Sequence, residues 1–327
     1  MIEILSNGAL NLVQDTGRPG HLEHGVSAAG AMDAPALEMA NWMVGNDASA
    51  AGIEISIFPF RIRFHGATRF ACTGADTTLE LREQRMPSWW SAQAMPGDVL
   101  TISAPARAAR AYLAFAGGID VPLVMGSRST DLKSGFGGLE GRGLRRGDRL
   151  AFGVVRGVKE EAEAASFGVA PQSRRRFADE LAAGTVGIRA LASAEYEYFC
   201  SDALTAFRQA DYRLTPECNR QGYRLEGEPL KTERPLELLS HGIVPGTVQV
   251  PPSGQPIVQM AEANTCGGYP KIANVIEPDL WRLAQLRPGQ RVRFELIDHE
   301  AAVFAIRELD REQARIRQGL ALRAHRC

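Results

Sequence analysis

The chain has 327 residues, of which 45% are hydrophobic and 23% are charged, a composition typical of a globular protein with one large or two medium domains. The formal net charge of -1 offers no electrostatic surface for nucleic acid or an anionic membrane, so neither is expected as a partner. No apolar run approaches the roughly 18 residues of a membrane span and no signal peptide is evident, which predicts a cytoplasmic protein.

Cysteines and histidines give no sign of a metal centre. The five cysteines are scattered and form no C-x-x-C pair, so neither a disulfide framework nor a zinc site is predicted, as expected in a reducing cytoplasm. His21 and His24 are spaced as H-x-x-H, but they lie on a glycine-rich stretch without a third ligand. We therefore predict no metal site there.

The first half of the chain is predicted to be largely β. Residues 2–5 and 10–13 form short strands around a turn, and residues 14–37 form a long ordered loop of the kind that often carries function. Asp33 and Pro35 predict a helix over about residues 34–44, with Asp33 as its N-cap. Strands then follow at short intervals from residue 53 to residue 116, and a second glycine-rich loop occupies residues 117–150.

A polar, charged segment separates the two halves. It predicts a first domain over residues 1–158, a linker over 159–184 and a second domain over 185–327. Within the second domain we predict strands at 186–191, 256–260 and 291–296, a helix near 201–207 and an amphipathic C-terminal helix over 300–322.

A loose repeat relates the two halves. Each contains a strand, a glycine pair, an irregular segment, a Gly-polar-Arg turn and another strand. The glycine pairs are Gly117-Gly118 and Gly267-Gly268, and the turns begin at Gly147 and Gly289. This recurrence predicts two related β domains.

The second glycine pair is followed by Tyr269 and Lys271. Glycines let main-chain amides approach a ligand and a lysine supplies positive charge, so this loop could hold an anionic or planar ligand. A tight corner of a barrel is the alternative, and the residue types alone favour that alternative.

Several long motifs together resemble one family. They are QDTGRPG and GAMD within residues 14–33, GGIDVPLVMGSRSTDLKSGFGGLEGR at 117–142, NRQGYRLEG at 219–227, SHGIVPGTVQVPPSGQPIV at 240–258 and GGYPKIA at 267–273. The chain thereby resembles the allophanate hydrolase subunit 2, Kip antagonist or biotin-dependent carboxyltransferase family, and especially its 5-oxoprolinase members. One departure is AEANTCGGYP, where the family more often has an Asp and two threonines, so roles for Glu262 and Cys266 are not carried over.

The resemblance implies a mainly β fold with two cyclophilin-like β-barrel domains, a few short helices and a C-terminal helix. It also implies the C component of an ATP-dependent 5-oxoprolinase that converts 5-oxoproline to L-glutamate. The implied partners are a Kip-inhibitor-like B component and an oxoprolinase A component, without which the chain is expected to be inactive.

Phosphoryl transfer to a lactam oxygen needs cations and amide donors around spread negative charge. No Walker loop occurs in the chain, so ATP with Mg²⁺ would lie on the glycine loops and be shared with the partner. The candidate cofactor-binding groups are cations, main-chain amides and one aromatic ring: Arg18, Arg128, Lys133, Lys271, Gly117, Gly118, Gly267, Gly268 and Tyr269. For each cation, the alternative is that it braces a loop carboxylate such as Asp15 or Asp131.

Acid, base or Mg²⁺-binding roles are possible for Asp15, Asp120 and Asp131. His241 is the candidate general base because it borders a glycine turn near the Tyr269 loop, although a surface or loop-bracing histidine is the alternative. For Asp33 the helix cap is preferred to a catalytic role.

Two other functions are considered. The first is a biotin-dependent carboxyltransferase like that of urea carboxylase. No lysine follows any methionine in this chain, so we predict no covalently attached biotin, and biotin would arrive on another protein. The second is a non-enzymatic antagonist that binds a Kip-inhibitor-like regulator. A prolyl isomerase is suggested by fold analogy alone and receives little weight.

Overall fold

The computed structural model describes residues 1–155, 166–234, 236 and 238–324. The chain divides into two compact units. Unit 1 comprises Met1–Arg18, Ala29–Pro171 and Gln313–Cys327, and unit 2 comprises Pro19–Ala28 and Gln172–Glu312.

Unit 1 contains thirteen strands and one internal helix within the described residues. The strands are β1 (Ile2–Ile4), β2 (Leu12–Gln14), β3 (Gly52–Ile55), β4 (Phe60–Phe64), β5 (Thr68–Asp76), β6 (Thr78–Leu81), β7 (Gln84–Pro87), β8 (Trp90–Ala94), β9 (Val99–Ile102), β10 (Arg107–Phe115), β11 (Ile119–Asp120), β12 (Arg149–Phe152) and β13 (Phe167–Gly168). Helix α1 (Ala34–Met43) lies between β2 and β3 in the chain.

These strands form two antiparallel sheets. One has the order β11-β12-β1-β4-β9-β6-β7 and the other the order β13-β8-β5-β10-β3-β2. In β4 the apolar residues Phe60, Ile62 and Phe64 are buried while the arginines between them are exposed, because successive side chains of a strand point to opposite faces. The inward face of β4 belongs to a core that also contains Phe70 and Phe115.

The start of the chain folds in part as predicted. Asp33 Oδ1 accepts a hydrogen bond from Ala36 N at 3.1 Å and caps α1, which confirms the predicted cap. Strands β1 and β2 lie in different sheets, because β1 pairs with β4 and β12 whereas β2 pairs with β3.

Unit 2 is built around a closed barrel. Its strands are β14 (Thr185–Ala192), β15 (Tyr212–Leu214), β16 (Gly222–Glu226), β17 (His241–Gly242), β18 (Thr247–Gln249), β19 (Ile257–Gln259), β20 (Cys266–Gly267), β21 (Lys271–Val275) and β22 (Arg291–Leu296). The barrel has the order β14-β21-β18-β19-β16-β15-β22, and the parallel pairing of β14 with β22 closes it. Strands β17 and β20 form a separate two-stranded sheet, which we call the ribbon.

Four helices complete the described structure: α2 (Gln172–Ala183), α3 (Ser201–Gln209), α4 (Glu277–Ala284) and α5 (His299–Ala324). Short 3₁₀ helices occur at Leu22–His24 and Tyr196–Tyr198. The mainly β fold class with short helices and a C-terminal helix is thus confirmed. None of the helices in the described ranges is both long and apolar enough to cross a membrane.

The predicted linker falls partly on residues 159–165, which lie outside the described residues. Its later portion contains α2. The domain boundaries at residues 158 and 185 remain predictions.

The Gly-polar turns of the two units have the same geometry. Gly147 N donates to Ile4 O at 2.8 Å, and Gly289 N donates to Leu214 O at 2.8 Å. The residue after each glycine accepts from a main-chain nitrogen three residues earlier, through Asp148 Oδ2 and Gln290 Oε1, each at 2.7 Å. Both glycines have φ near +90°, a conformation that favours glycine.

The glycine pairs of the predicted repeat differ from each other. Gly117 and Gly118 both have positive φ and lie in the turn between β10 and β11. Gly267 instead belongs to β20. The similarity between the units therefore lies in the strand-opening turns and not in the glycine pairs.

Candidate active site

Asp15 is the centre of a buried hydrogen-bond network in unit 1. Its Oδ1 accepts from Gly17 N at 2.8 Å, from Ser127 Oγ at 2.7 Å and from Ser129 Oγ at 2.5 Å. Its Oδ2 accepts from Arg128 N at 2.6 Å. Four donors within the protein thus surround this carboxylate and fix the SRST segment of the second glycine loop against the start of the first.

Arg18 lies in the same network. It is 1% exposed, donates from Nη2 to Ser129 O and stacks on the ring of Phe136, with its guanidinium carbon 4.8 Å from the ring centroid. A Cβ added at Gly137 would lie 2.2 Å from Ser129 O and 2.8 Å from Arg18 Nη2. The glycine at position 137 is therefore required for close packing around Arg18.

The other predicted acidic and basic groups of unit 1 lie on the same loop with different exposures. Arg128 Nε donates to Val121 O at 2.9 Å, and its Nη2 is 3.6 Å from Asp120 Oδ1. Asp131 is buried and accepts from Ser134 N at 2.9 Å. Lys133 is exposed.

The amides of Gly117 and Gly118 donate within the protein. Gly117 N donates to Asn46 Oδ1 at 2.8 Å and Gly118 N donates to Phe115 O at 2.8 Å. A Cβ added at Gly117 would lie 2.3 Å from Gly153 O. The structure thus gives this glycine pair a packing and turn-forming function, and its predicted part in phosphate binding remains a prediction.

Lys271 is a buried cation at the start of β21 in unit 2. It is 4% exposed, and its Nζ donates to Gly267 O at 3.3 Å and to Tyr269 O at 3.1 Å. Removal of the ammonium group from water lowers the pKa of Lys271 below its ordinary value, although the carboxylate of Glu195 acts to raise that pKa. A lysine in such surroundings loses its proton more readily than a surface lysine.

His241 lies between Lys271 and a carboxylate. Its Nδ1 is 3.4 Å from Lys271 Nζ and 3.1 Å from Leu239 O, and its Nε2 is 3.4 Å from Glu195 Oε1. A neutral imidazole that donates from Nε2 to Glu195 leaves Nδ1 as an acceptor for Lys271, whereas an Nδ1–H would donate to Leu239 O. The side chain of His241 is 45% exposed and that of Glu195 is 11% exposed, so this pair connects Lys271 to the surface.

Gln249 lies opposite Lys271 on the neighbouring strand. The two residues are register partners in the β18–β21 pairing, which places their side chains on the same face of the sheet. Gln249 Oε1 accepts from Gln259 Nε2 at 2.8 Å, whereas the buried Gln249 Nε2 has no hydrogen-bond partner within the described structure. An unpaired buried amide is costly, so Gln249 Nε2 is available to a water molecule or to an oxygen of a ligand.

The ribbon lies directly over this amide. A Cβ added at Gly267 would be 2.4 Å from Gln249 Nε2, and one added at Gly268 would be 3.1 Å from Leu238 O. Tyr269 is 48% exposed. The structure therefore brings together five predicted site residues of unit 2: His241, Gly267, Gly268, Tyr269 and Lys271.

The motifs missed Glu195 and Gln249. Glu195 precedes a 3₁₀ turn and lies outside the motifs, whereas Gln249 lies within the motif at residues 240–258 but received no role from it. The signal that the sequence offers for Gln249 is a glutamine between two valines, Val248 and Val250. Glu262, left without a role from the sequence, is buried and pairs with Arg220 Nε at 2.6 Å.

Neither unit contains a recognisable metal centre in its described residues. No group of three or more His, Cys, Asp or Glu side chains there could hold a metal ion. The rings of His21 and His24 have centroids 6.4 Å apart.

We call Lys271, Gln249, His241 and Glu195 the Lys271 cluster. It combines three kinds of group that act on amides and carbonyls: a cation, an unpaired amide donor, and an imidazole with a carboxylate partner. Donors placed near a carbonyl oxygen stabilise negative charge on it, and the imidazole can accept or return a proton.

Comparison with known proteins gives a consistent assignment. The model of the carboxyltransferase domain, subdomain A and B, matches residues 24–296. A protein of Escherichia coli (strain K12), named as the C component of 5-oxoprolinase, is 43% identical over 325 residues, which are 99% of this chain and 99% of that one. A protein of the same name from Haemophilus influenzae is 37% identical over 302 residues, covering 92% of this chain and 93% of that one.

A solved structure has the same fold. The crystal structure of the Kluyveromyces lactis urea carboxylase superposes with a TM-score of 0.84 at 25% identity. The match covers 98% of this chain and 29% of that chain, so this chain spans less than a third of that protein. The chain belongs to the carboxyltransferase family defined by subdomains A and B.

Proposed function

We propose that this chain acts as the C component of an ATP-dependent 5-oxoprolinase that opens 5-oxoproline to L-glutamate. The observation that carries the proposal is the 43% identity that extends over 99% of both chains. The match covers nearly all of both chains and is not confined to one motif. The expected partners are a Kip-inhibitor-like B component and an oxoprolinase A component, and the expected location is the cytoplasm.

The chemistry requires activation of a poor electrophile. ATP would supply the phosphoryl group that turns the lactam oxygen into a leaving group. Among the candidate cations of unit 1, Arg18 is enclosed by Ser129 and Phe136, so Arg128 and Lys133 are the cations that would contact the phosphates. Mg²⁺ would enter with the nucleotide, and both would be shared with the partner.

Lys133 offers a direct test of the nucleotide part of the proposal. The exposed ammonium group can be removed without opening a cavity. In Lys133→Ala we expect ATP-dependent turnover by the reconstituted complex to fall about tenfold or more, since a charge-assisted hydrogen bond to phosphate is lost. Lys231→Ala, which changes another exposed lysine, is the matched control. Wild-type turnover and an unchanged KM for ATP in folded Lys133→Ala protein would exclude this role.

Carboxyl transfer is the second candidate function. It is supported by the name of the matching domain and by the likeness to a urea carboxylase structure. We place carboxyl transfer second because the identity to that enzyme is lower, at 25%, and because the match covers only 29% of its chain. In such a reaction biotin would arrive on another protein, so avidin would abolish activity, whereas the 5-oxoprolinase would be insensitive to avidin.

A further inference from the structure

We propose that the Lys271 cluster is the site for a cyclic amide, in which Lys271 and Gln249 bind the carbonyl oxygen and His241 takes the proton of the ring nitrogen. This inference rests on the proposed function for the choice of 5-oxoproline as the ligand. It adds two residues, Gln249 and Glu195, to the binding site and to the proton path respectively.

The donors of the site face the same space. Lys271 and Gln249 are register partners beside a β-bulge in the β18–β21 pairing. Gly267 lies against both side chains: its O is 3.3 Å from Lys271 Nζ, and a Cβ added to it would be 2.4 Å from Gln249 Nε2. Gln249 Oε1 is held by Gln259, which fixes the orientation of the amide and directs Nε2 away from Gln259. One oxygen atom can therefore accept from both the Lys271 ammonium and the Gln249 amide.

The ribbon supplies the acceptors that a ligand would replace. Two of the three hydrogen-bond contacts of Lys271 Nζ are with main-chain oxygens of the β20 segment, those of Gly267 and Tyr269. Those oxygens belong to the ribbon and to the residues that follow it, and the ribbon is not paired with any barrel strand. Displacement of the ribbon would expose Lys271 and Gln249 together, and the carbonyl oxygen of a ligand would take the place of the two main-chain oxygens.

The proton path follows from the contacts of His241. With Nε2–H directed to Glu195, the electron pair of Nδ1 accepts from Lys271 Nζ. Once Lys271 donates to the oxygen of the ligand instead, that electron pair can take a proton. The N–H bond of the lactam breaks, the proton forms a bond with Nδ1, and the electron pair passes through the amide to its oxygen. The resulting imidazolium donates from Nε2 to Glu195 and from Nδ1 to Leu239 O. The negative oxygen, held by Lys271 and Gln249, then attacks the γ-phosphorus of ATP; the new O–P bond forms as the bond to ADP breaks, and ADP leaves.

The charged groups around this path are few. Lys271 and His241 contact each other, and Glu195 is the carboxylate that faces both. Ser193 Oγ is 3.4 Å from Glu195 Oε2. Glu195 does not contact the ligand in this arrangement and acts as a positioning residue that stabilises the imidazolium.

The test uses the full chain, alone and in complex with its B and A partners. Binding of 5-oxoproline to the chain alone is measured by calorimetry without ATP, and kcat and KM are measured in the complex. Lys271→Met and Gln249→Leu remove the two groups that donate hydrogen bonds to the carbonyl oxygen. Glu195→Gln removes the negative charge beside His241, and Lys231→Met is the matched control. Circular dichroism establishes that each variant is folded.

We expect Lys271→Met and Gln249→Leu to weaken binding about tenfold or more, the effect of losing one hydrogen bond to the carbonyl oxygen. We expect Glu195→Gln to bind 5-oxoproline like the wild type and to lose about tenfold or more in kcat without a matching change in KM. Lys231→Met should match the wild type in both measurements. Wild-type binding and turnover in the Lys271 and Gln249 variants would overturn the inference.

Gly267→Ala gives a second approach if the Lys271 or Gln249 variant does not fold. The φ of Gly267 is not in the left-handed region, and the added methyl group would strike Gln249 Nε2, the movable end of a side chain. We expect a folded protein in which the displaced amide weakens 5-oxoproline binding, while Gly242→Ala, where a Cβ meets nothing within 4 Å, leaves binding unchanged. Equal binding by both glycine variants would contradict the inference.

The outcomes separate the site from the function. If the wild-type complex makes glutamate and the site variants do so equally well, the site inference fails and the proposed function stands. If the wild-type complex makes no glutamate, the proposed function fails. Binding to the chain alone then decides on the site, with Lys271-dependent binding supporting it and absence of binding overturning it.

Discussion

Lys271 shows how a single buried charge affects both chemistry and stability. Its ammonium group is enclosed by two main-chain oxygens and an imidazole. Burial lowers its pKa below the ordinary value of 10.5. The same burial that makes the ammonium group a stronger hydrogen-bond donor therefore makes the folded protein sensitive to pH.

The direction of this sensitivity can be predicted. Between the lowered pKa of folded Lys271 and 10.5, the unfolded chain binds more protons at this position than the folded chain does, so the free energy of unfolding rises with pH. We expect the stability of the wild type, measured by urea unfolding relative to Lys271→Met, to increase as pH is raised from the lowered pKa of Lys271 towards 10.5. The corresponding difference for Lys231→Met should not change with pH. A constant difference for Lys271→Met would show that burial does not depress this pKa.

At the scale of elements, the strand-opening turns recur. A third turn of this geometry occurs before β9, where Gly97 N donates to Phe64 O at 2.8 Å and Asp98 Oδ2 accepts from Met95 N at 2.7 Å. In each turn the glycine has positive φ and the following polar side chain closes the loop. A glycine followed by a polar residue before a strand therefore predicts this turn. The turn is the part of the repeat that local chemistry can predict.

Asp148 provides the test of these turns. Burial acts to raise its pKa, but hydrogen bonds from the side chain of Arg142 and from Arg145 N outweigh burial and lower the pKa below 3.8. We expect Asp148→Ala to reduce the free energy of unfolding at neutral pH by about 1–3 kcal/mol, the value of hydrogen bonds to a charged group. The carboxylate stabilises the fold above its unfolded pKa and ceases to do so as pH falls through the folded pKa.

The deficit of Asp148→Ala should therefore stay constant from about pH 7 to about pH 5 and shrink below about pH 4. Asp76→Ala, which removes an exposed carboxylate paired with Arg107, is the control and should change stability little. A deficit of Asp148→Ala that persisted unchanged at about pH 2 would show that the carboxylate charge is not the source of the stabilisation.

Local chemistry also explains which predictions were correct. The cap of α1, strand β22 and helix α5 follow from capping residues and periodicity within one segment, and the structure contains all three. The partners of β1 lie in strands far along the chain, β4 and β12, and no local pattern encodes such a pairing. For the same reason Gln249 and Glu195 were missed, because only the β18–β21 register and the fold of the 3₁₀ turn bring them to Lys271.

At the scale of the whole chain, family and fold agree. A match that covers 99% of a 5-oxoprolinase component and a superposition with a TM-score of 0.84 on part of a urea carboxylase describe one family with more than one reaction. The shared fold therefore leaves the substrate to be decided by individual side chains and by partners.

The most direct test of the central claim is glutamate release from 5-oxoproline by this chain mixed with the proposed B and A partners, with and without ATP and with avidin as a control. We predict glutamate formation that requires ATP and all three chains and that avidin does not inhibit. Tight binding to the B partner without glutamate formation would contradict the 5-oxoprolinase function and favour a regulatory antagonist. Activity abolished by avidin would contradict it in favour of carboxyl transfer.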